Sequence, residues 1–381
     1  HPDMFAPLDE SVGGGAYGDD DVEDEFCWAA TELFITTGDE DYFDDMAESE
    51  FFLAMPEKLG GGESVDTVGS FDWGNTGGLG TLSAALNPKA FEKDDVEIIT
   101  ENICAAADGY LDKEAAQGYG LPYAASTISY NDSDKGYLWG SNSFVADNSI
   151  VMAYAYYLTD EDKYLDGAIG GMDYLLGRNA MDYSYVTGYG THATEFPHHR
   201  YWSKQIDDAF PKAPCGVMAG GPNSGMQDPW VQGSGWKKGQ IPPQKCYLDH
   251  IEAWSVNECT INWNASLAWL SGFVAQENGD GQIEVGQTGR SAGLSNDGGE
   301  GESNEKKTYD EDTDRKSTKV DADDEDEEEK AVSKKTTASD SKTDKTSMGI
   351  VGIIAAAAVA VIISILVFIY KVMKLKYDNK K

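Results

Sequence analysis

Two carboxylic acids, Asp249 and Glu258, lie in an aromatic stretch of the sequence, YLDHIEAWSVNECTINWNAS, at residues 247–266. Aromatic and apolar surroundings disfavour the charged form of a carboxyl group. Such an acid stays protonated near neutral pH and can donate a proton to a leaving oxygen. Glu258 is therefore the candidate general acid of a predicted sugar site. The alternative is that both are ordinary acids before a helix, since residues 262–275 have a helical pattern and acids favour a helix N-terminus.

The residues around these acids follow a defined spacing. The matching positions are Tyr247, Asp249, Trp254, Glu258, Thr260, Asn264 and Ala265. A second segment, SYVTGYGTHATEFPHHR at residues 184–200, ends in Pro, His, any residue and Arg. The two segments resemble the active-site signatures of the family 9 glycoside hydrolases, which are mostly cellulases acting on β-1,4-glucans. Further similar segments are residues 13–43, 71–86, 137–142 and 219–225, so the resemblance covers residues 1–275.

The resemblance implies a role for each matching residue. Glu258 is expected to be the proton donor and Asp249 the second acid of the signature, while His198 and Arg200 are expected to hold sugar hydroxyls beside the reacting bond. Arg offers a rigid fork of donors and an imidazole can donate similarly, which suits a sugar ring that distorts during cleavage. His199 is a further candidate for substrate binding. The alternative is that His198, His199 and Arg200 form a loop cluster that binds a nearby acid.

Aromatic side chains supply candidate platforms for the flat apolar faces of sugar rings. The candidates are Trp139, Trp202, Trp230 and Trp254. Trp139 and Trp254 are favoured because they lie within the similar segments. The alternative for each is an ordinary place in the core, since large aromatic side chains contribute most of their area to cores.

Helical periodicity predicts an all-α domain. The expected helices are residues 19–37, 40–54, 75–86, 94–110, 143–158, 162–176 and 262–275. The resemblance implies an (α/α)6 barrel of twelve helices and a catalytic base within an Asp-Ala-Gly-Asp motif. This sequence has too few helices and does not contain the motif. We therefore expect an N-terminally incomplete barrel whose base belongs to a missing N-terminal part, with some apolar surface left exposed.

Charge is distributed unevenly along the chain. Residues 1–275 have a net charge of −32, residues 276–347 have −10 and the last 34 residues have +4. An acidic surface repels polyanions, which argues against nucleic acid as a partner and is compatible with a neutral glucan. Residues 276–347 are rich in small, polar and charged residues. We expect an acidic disordered linker there, because it cannot bury enough apolar area to offset the entropy of ordering.

A charge-free run of 22 residues, GIVGIIAAAAVAVIISILVFIY, occupies residues 349–370. At about 1.5 Å per residue, a helix of this length crosses a hydrocarbon core of about 30 Å. The sequence predicts a single transmembrane helix over residues 348–370 and a basic tail over 371–381. Five lysines in the tail place it in the cytoplasm, so the large domain is expected outside the cell membrane.

Acidic residues crowd the start of the first predicted helix, at Asp20, Asp21, Asp24 and Glu25. Clustered oxygen ligands suit Ca²⁺, and the resemblance agrees because some members of the family bind calcium near this place. The alternative is favourable charge at a helix N-terminus. No cofactor is expected for the chemistry itself, so calcium would be structural.

The most economical interpretation is the catalytic domain of an inverting β-1,4-glucanase, residues 1–275, tethered through a linker to one membrane span. Because the base lies outside the sequence, we expect these residues alone to be largely inactive. The alternative function is a surface-anchored glucan-binding protein without catalytic activity.

Overall fold

The computed structural model describes residues 21–60, 64–125 and 136–278, all within one compact unit, His1–Ala292. This part of the chain is helical and contains no β-strand, only isolated bridges between loop segments. The helices of the described residues are α1 (Glu23–Thr37), α2 (Glu40–Ala47), α3 (Gly77–Leu86), α4 (Lys93–Ala116), α5 (Ser141–Thr159), α6 (Asp162–Leu175), α7 (Pro229–Gly233), α8 (Trp254–Asn257) and α9 (Ile261–Asn278). The prediction of an all-α domain is confirmed for these residues.

Each of the seven predicted helices is present, with shifted ends. The second ends at Ala47 and not at residue 54, because the chain turns through Leu53, whose φ of 53° is incompatible with a right-handed helix. The fourth continues to Ala116, since residues 111–116 include several strong helix formers. The short helices α7 and α8 have no periodic pattern of their own and were not predicted.

Helix α5 forms the centre of the packing. It contacts α4, α6 and α9, and every residue from Ser141 to Ala155 is buried. Its sequence, SNSFVADNSIVMAYAYYLT, carries small or apolar side chains on all sides, which is the pattern of a helix surrounded by others. The first turn of α5 follows Trp139 directly. The core helix therefore fixes the position of one candidate sugar-binding ring.

Glycines let α6 approach α5 closely. A side chain at Gly167 would place its Cβ 2.7 Å from Met152 Sδ, a distance that real Cβ atoms do not adopt. The backbone of α6 consequently lies against the Met152 side chain without an intervening group. After α6 the chain enters a long region of loops and short helices, residues 176–260, that carries the candidate site.

Two helices expose apolar side chains on one face. Phe26 and Leu33 of α1 are 55% and 43% exposed, and Ile261 and Trp269 of α9 are 92% and 41% exposed. Side chains spaced by three or four residues, or by multiples of these, share a helix face, so each pair forms part of one apolar stripe. Soluble domains normally bury such stripes against another element.

The predicted membrane span, residues 348–370, and the basic tail, residues 371–381, lie outside the described residues, as does the predicted linker beyond Asn278. Within the part of the chain that the structure describes, no helix combines the length and apolarity needed to cross a membrane. The predicted domain boundaries, anchor and extracellular orientation therefore stay predictions.

A buried acid on α5 makes the domain's stability depend on pH. Asp147 is 4% exposed, and its Oδ1 has no hydrogen-bond partner among the described residues. Burial raises the pKa of Asp147 to about 8; Ser266 opposes this increase and the charge of Asp72 adds to it. The unfolded chain loses this proton at its ordinary, lower pKa. The favourable contribution of the neutral group is thus complete in acid and is lost as the pH rises through about 8.

We expect Asp147→Asn to stabilise the full-length protein at alkaline pH, because the amide has the same shape and never ionises. A change of one pKa unit corresponds to about 1.4 kcal/mol, so the free energy of unfolding should increase by at least ~1 kcal/mol near pH 9 and change little near pH 4. Denaturant unfolding at both pH values measures the difference. Asp166→Asn, at an exposed position on α6, is the matched control. An equal effect of Asp147→Asn at both pH values would contradict this account.

Candidate active site

The backbone brings Glu258 and His198 side by side. The two residues form an isolated parallel bridge, in which the His198 N–H donates to the Asn257 carbonyl at 2.7 Å. On its other side, the Glu258 carbonyl accepts from the Gly220 N–H at 2.7 Å. Glu258 directly follows α8 and has extended dihedral angles, φ −60° and ψ 150°. The segments that contain His198, Gly220 and Glu258 therefore meet at this position.

An indole ring forms a hydrogen bond with the Glu258 carboxyl group. The indole Nε1–H of Trp139 donates to Glu258 Oε2 at 3.1 Å, and the Trp139 ring packs on Trp254 with centroids 5.1 Å apart. Burial raises the pKa of Glu258, while the charge of His198 and the Trp139 hydrogen bond oppose this increase. A carboxyl group with a raised pKa is suited to proton donation. The structure thus places Trp139 against the candidate acid and the Trp254 ring against Trp139.

A backbone carbonyl determines the tautomer of His198. Its Nδ1 lies 2.5 Å from the Ile251 carbonyl oxygen, which can only accept, so Nδ1 carries the proton. The ring is half-buried, and its Nε2 makes no hydrogen bond to any residue that the structure describes. Because this carbonyl follows the 247–250 segment, the ring orientation of His198 depends on the segment that carries Asp249.

The carboxylate of Asp249 is fully occupied by hydrogen bonds. Its Oδ2 accepts from the Glu195 N–H at 2.8 Å and the Tyr183 hydroxyl at 3.0 Å. Its Oδ1 accepts from Asn257 Nδ2 at 3.0 Å and the Phe196 N–H at 3.1 Å. Four donors from three parts of the chain therefore converge on one side chain. Such a carboxylate positions its neighbours and has little capacity left to accept a proton from water.

Asn257 completes this arrangement, and its side chain is fully buried. Its Nδ2 also donates to the carbonyls of Phe196 and His250, and its Oδ1 accepts from the Tyr247 hydroxyl at 2.7 Å. The Tyr247 hydroxyl lies 2.6 Å from the Thr194 hydroxyl. Asn257, the residue immediately before Glu258, is therefore hydrogen-bonded both to Phe196, two residues before His198, and to residues 247–250.

The remaining candidates of the second signature lie on the exposed side of this centre. The His199 ring stacks on Trp202 with centroids 4.0 Å apart, and its Nδ1 accepts from the N–H groups of Tyr201 and Trp202, both at 3.2 Å. Burial, followed by the charge of His198, lowers the pKa of His199. The side chain of Arg200 is exposed, and it forms no ion pair within the described residues. Arg200 is thus available to a ligand, whereas Nδ1 of His199 serves its own loop.

Three of the four predicted calcium ligands, Asp21, Asp24 and Glu25, lie at or just before the start of α1 within the described residues. Asp24 is buried, and its carboxylate accepts from the Glu25 N–H at 3.1 Å and from the Thr76 N–H at 2.5 Å. Asp24 therefore holds Thr76, the residue directly before α3, and the sequence did not predict this role. Asp20 lies outside the described residues, and within them no group of three His, Cys, Asp or Glu residues could hold a metal ion. Asp21 and Glu25 remain near this helix start, and calcium stays a prediction.

Sequence reasoning missed several residues of the site. Tyr183 donates to Asp249 from 66 positions earlier in the chain, and nothing in the sequence connects them. Asp228, with 0% exposure, accepts from the Ser255 N–H at 3.1 Å and so fixes α8 close to Glu258. The sequence offered one indication of the positioning role of Asn257, namely its place directly before Glu258 within the first signature segment.

The described residues thus form a helical domain in which a half-buried glutamic acid accepts a hydrogen bond from Trp139 and lies beside His198. The model of glycosyl hydrolase family 9 matches residues 2–271. The chain belongs to this family.

Individual relatives agree with this assignment. A cellulose 1,4-beta-cellobiosidase from Acetivibrio thermocellus is 46% identical over 282 residues, which are 72% of this chain and 31% of the relative. Endoglucanase C from Cellulomonas fimi is 38% identical over 285 residues, which are 73% of this chain and 24% of the relative. Among solved structures, the family 9 endoglucanase J30 superposes with a TM-score of 0.58 at 28% identity, over 72% of this chain and 47% of that chain. The chain thus spans less than a third of the length of these two curated relatives.

Proposed function

We propose that the protein hydrolyses β-1,4-glucosidic bonds of cellulose or a related β-glucan with inversion, and that Glu258 is the general acid. The observation that carries this proposal is the raised pKa of Glu258 together with its contacts to Trp139 and His198. Family membership and the cellulose-degrading names of the relatives support the substrate class.

The proposed reaction begins with the neutral Glu258 carboxyl group. It donates its proton to the glycosidic oxygen while the bond from that oxygen to the anomeric carbon breaks. Water attacks the opposite face of the sugar, and a base on that side takes its proton. Nε2 of His198 and the Arg200 guanidinium bind sugar hydroxyls as the ring distorts. Trp139 and Trp254 stack on the sugar rings that flank the cleaved bond.

The base is proposed to come from a part of the protein outside this sequence. An inverting pair needs about 6.5 to 9.5 Å between its carboxyl groups to admit water. Asp249 is an unsuitable base because its oxygens accept four hydrogen bonds. We assign it a positioning role instead. Two observations support the existence of additional helices that carry the base. Apolar stripes are exposed on α1 and α9, and this chain covers only 47% of the J30 chain.

This assignment is tested by comparing residues 1–278 with the same residues extended N-terminally in the full-length protein. We expect the short form to release little or no reducing sugar from β-1,4-glucan and the long form to do so readily, because only the latter has a base. Equal turnover by the two forms would show that the base lies among residues 1–278. Binding without hydrolysis by the long form would favour the alternative, a non-catalytic glucan-binding protein.

Trp139→Phe should move the alkaline limb of the pH profile to higher pH. The indole N–H stabilises the charged form of Glu258, and its removal raises the pKa of Glu258 further. The active form is the protonated one, so activity persists to higher pH before it is lost. The measurement is kcat/KM against pH with the full-length protein. Trp254→Phe is the control, since the Trp254 indole makes no hydrogen bond to Glu258 within the described residues. A shift of the alkaline limb to lower pH in Trp139→Phe would contradict the assignment.

A further inference from the structure

One exposed indole near the site does not contact Glu258. Trp230 of α7 is 46% exposed and stacks on His250, with ring centroids 3.7 Å apart and an angle of 11° between the planes. The imidazole covers one face of the indole, so the exposed 46% of Trp230 belongs to its other face and its edge. An indole held flat with one face free is suited to an apolar sugar face.

Buried hydrogen bonds hold α7 against the catalytic loop. Asp228 is fully buried; its Oδ1 accepts from the Val231 N–H at 2.7 Å and so caps α7. Its Oδ2 accepts from the N–H and the hydroxyl of Ser255, which lies three residues before Glu258. The backbone that carries Trp230 is therefore bonded directly to the backbone that carries the acid.

The second ring of the stack is fixed to the same loop. The His250 carbonyl accepts from Asn257 Nδ2 at 3.3 Å, and His250 Nδ1 accepts from the Glu252 N–H at 3.1 Å. Because Nδ1 accepts, the proton lies on Nε2, which makes no hydrogen bond within residues 21–60, 64–125 and 136–278. The stack thus presents an apolar ring face and one N–H donor, both rigidly connected to the residue before Glu258.

We propose that Trp230, supported by His250, binds a glucose ring of the β-1,4-glucan chain beyond the rings that flank the cleaved bond. The inference rests on the proposed function for its ligand. The equatorial hydroxyls of a β-1,4-linked glucose leave both ring faces lined by C–H groups, which match the open indole face. Nε2–H of His250 donates to a hydroxyl at the edge of the same sugar. The platform recognises longer chains and has no part in proton transfer.

Calorimetric binding of cellobiose and cellohexaose tests this platform. The full-length protein is used with Glu258→Gln, so that the oligosaccharides stay intact. Adding Trp230→Ala should weaken cellohexaose binding about tenfold or more, as is common when a central aromatic contact is truncated, and leave cellobiose binding unchanged. Trp230→Phe, which keeps a ring, should retain more affinity than Trp230→Leu, which does not. Tyr157→Ala, an exposed position at the far end of α5, is the matched control and should bind as the parent does.

Unchanged cellohexaose binding in Trp230→Ala would overturn the proposal. Equal losses for cellobiose and cellohexaose would also overturn it, since they would place Trp230 at the cleavage point or in the fold. If Trp230→Ala does not fold, equal affinities of the Phe and Leu variants would contradict a stacking role. Absence of cellohexaose binding by the parent would overturn both this platform and the glucanase proposal. Continued hydrolysis by Glu258→Gln, with chain-length-dependent binding intact, would overturn only the assignment of the acid.

Discussion

Glu258→Gln in the full-length protein should lower the turnover of unactivated cellulose by about 10²- to 10⁴-fold, the usual contribution of general acid catalysis. The amide keeps the size of the side chain and can accept from Trp139, but it has no proton of suitable acidity to donate. An aryl glycoside with a good leaving group needs less protonation, so its turnover should fall less. The measurement is kcat on both substrates.

Glu252→Gln is the matched control for this experiment. Glu252 is an exposed acid six positions earlier in the same loop region, and its replacement should leave both rates unchanged. Equal activity of Glu258→Gln and the parent on cellulose would remove Glu258 from the mechanism. A loss of equal size on cellulose and on the aryl glycoside would point to a structural defect and not to a missing proton.

Asp249→Ala should impair stability and turnover together. The substitution leaves the Glu195 and Phe196 N–H groups without their acceptor, whereas the Tyr183 hydroxyl and Asn257 Nδ2 keep backbone carbonyls as acceptors. An unsatisfied buried donor costs about 1–3 kcal/mol, so a loss of about that size in the free energy of unfolding is expected. The turnover number should fall about 100-fold, because displacement of reacting groups by about 1 Å has effects of that size. Denaturant unfolding and kcat measure the two effects.

Azide distinguishes a positioning Asp249 from a catalytic base. A small anion replaces water without needing deprotonation, so it restores turnover when a base has been removed and leaves a positioning defect unchanged. We expect no azide effect on Asp249→Ala, and partial recovery of both stability and turnover in Asp249→Asn. Asp208→Ala, at an exposed loop position, is the control and should resemble the parent. Restored turnover with azide would identify Asp249 as the base and contradict its positioning role.

The helices could be predicted because their information is local. The run of small and apolar residues in α5, and the acids at the start of α4, each appear within one stretch of sequence. The early end of α2 was missed because apolar residues continue the pattern past Ala47, whereas the turn depends on the backbone of Leu53.

The signatures named Glu258 and His198 as site residues, and the structure shows that their backbones form an isolated bridge. The hydrogen bond from Trp139 to Glu258 joins residues 119 positions apart, and that from Tyr183 to Asp249 joins residues 66 positions apart. Such contacts arise when a long loop region folds against a helical core, and no periodicity encodes them. A motif can therefore indicate which residues meet, but not which side chains hold them in place.

The acidic cluster at α1 shows a further limit of composition. The clustered acids, among them Asp20, Asp21, Asp24 and Glu25, suggested oxygen ligands for calcium, and the structure adds that Asp24 is buried and accepts from the Thr76 N–H. Composition cannot separate an acid that faces solvent from one that accepts a buried backbone donor. The helical period could have indicated it, because Asp24, Cys27 and Phe34 lie on the buried face of α1.

The configuration of the first product tests the central claim most directly. Proton NMR can follow cellohexaose cleavage by the full-length protein faster than the sugar anomers interconvert. A general acid at Glu258 acting with a base across the cleft predicts that the new reducing end appears first as the α-anomer. Initial appearance of the β-anomer would show a retaining mechanism and contradict the account.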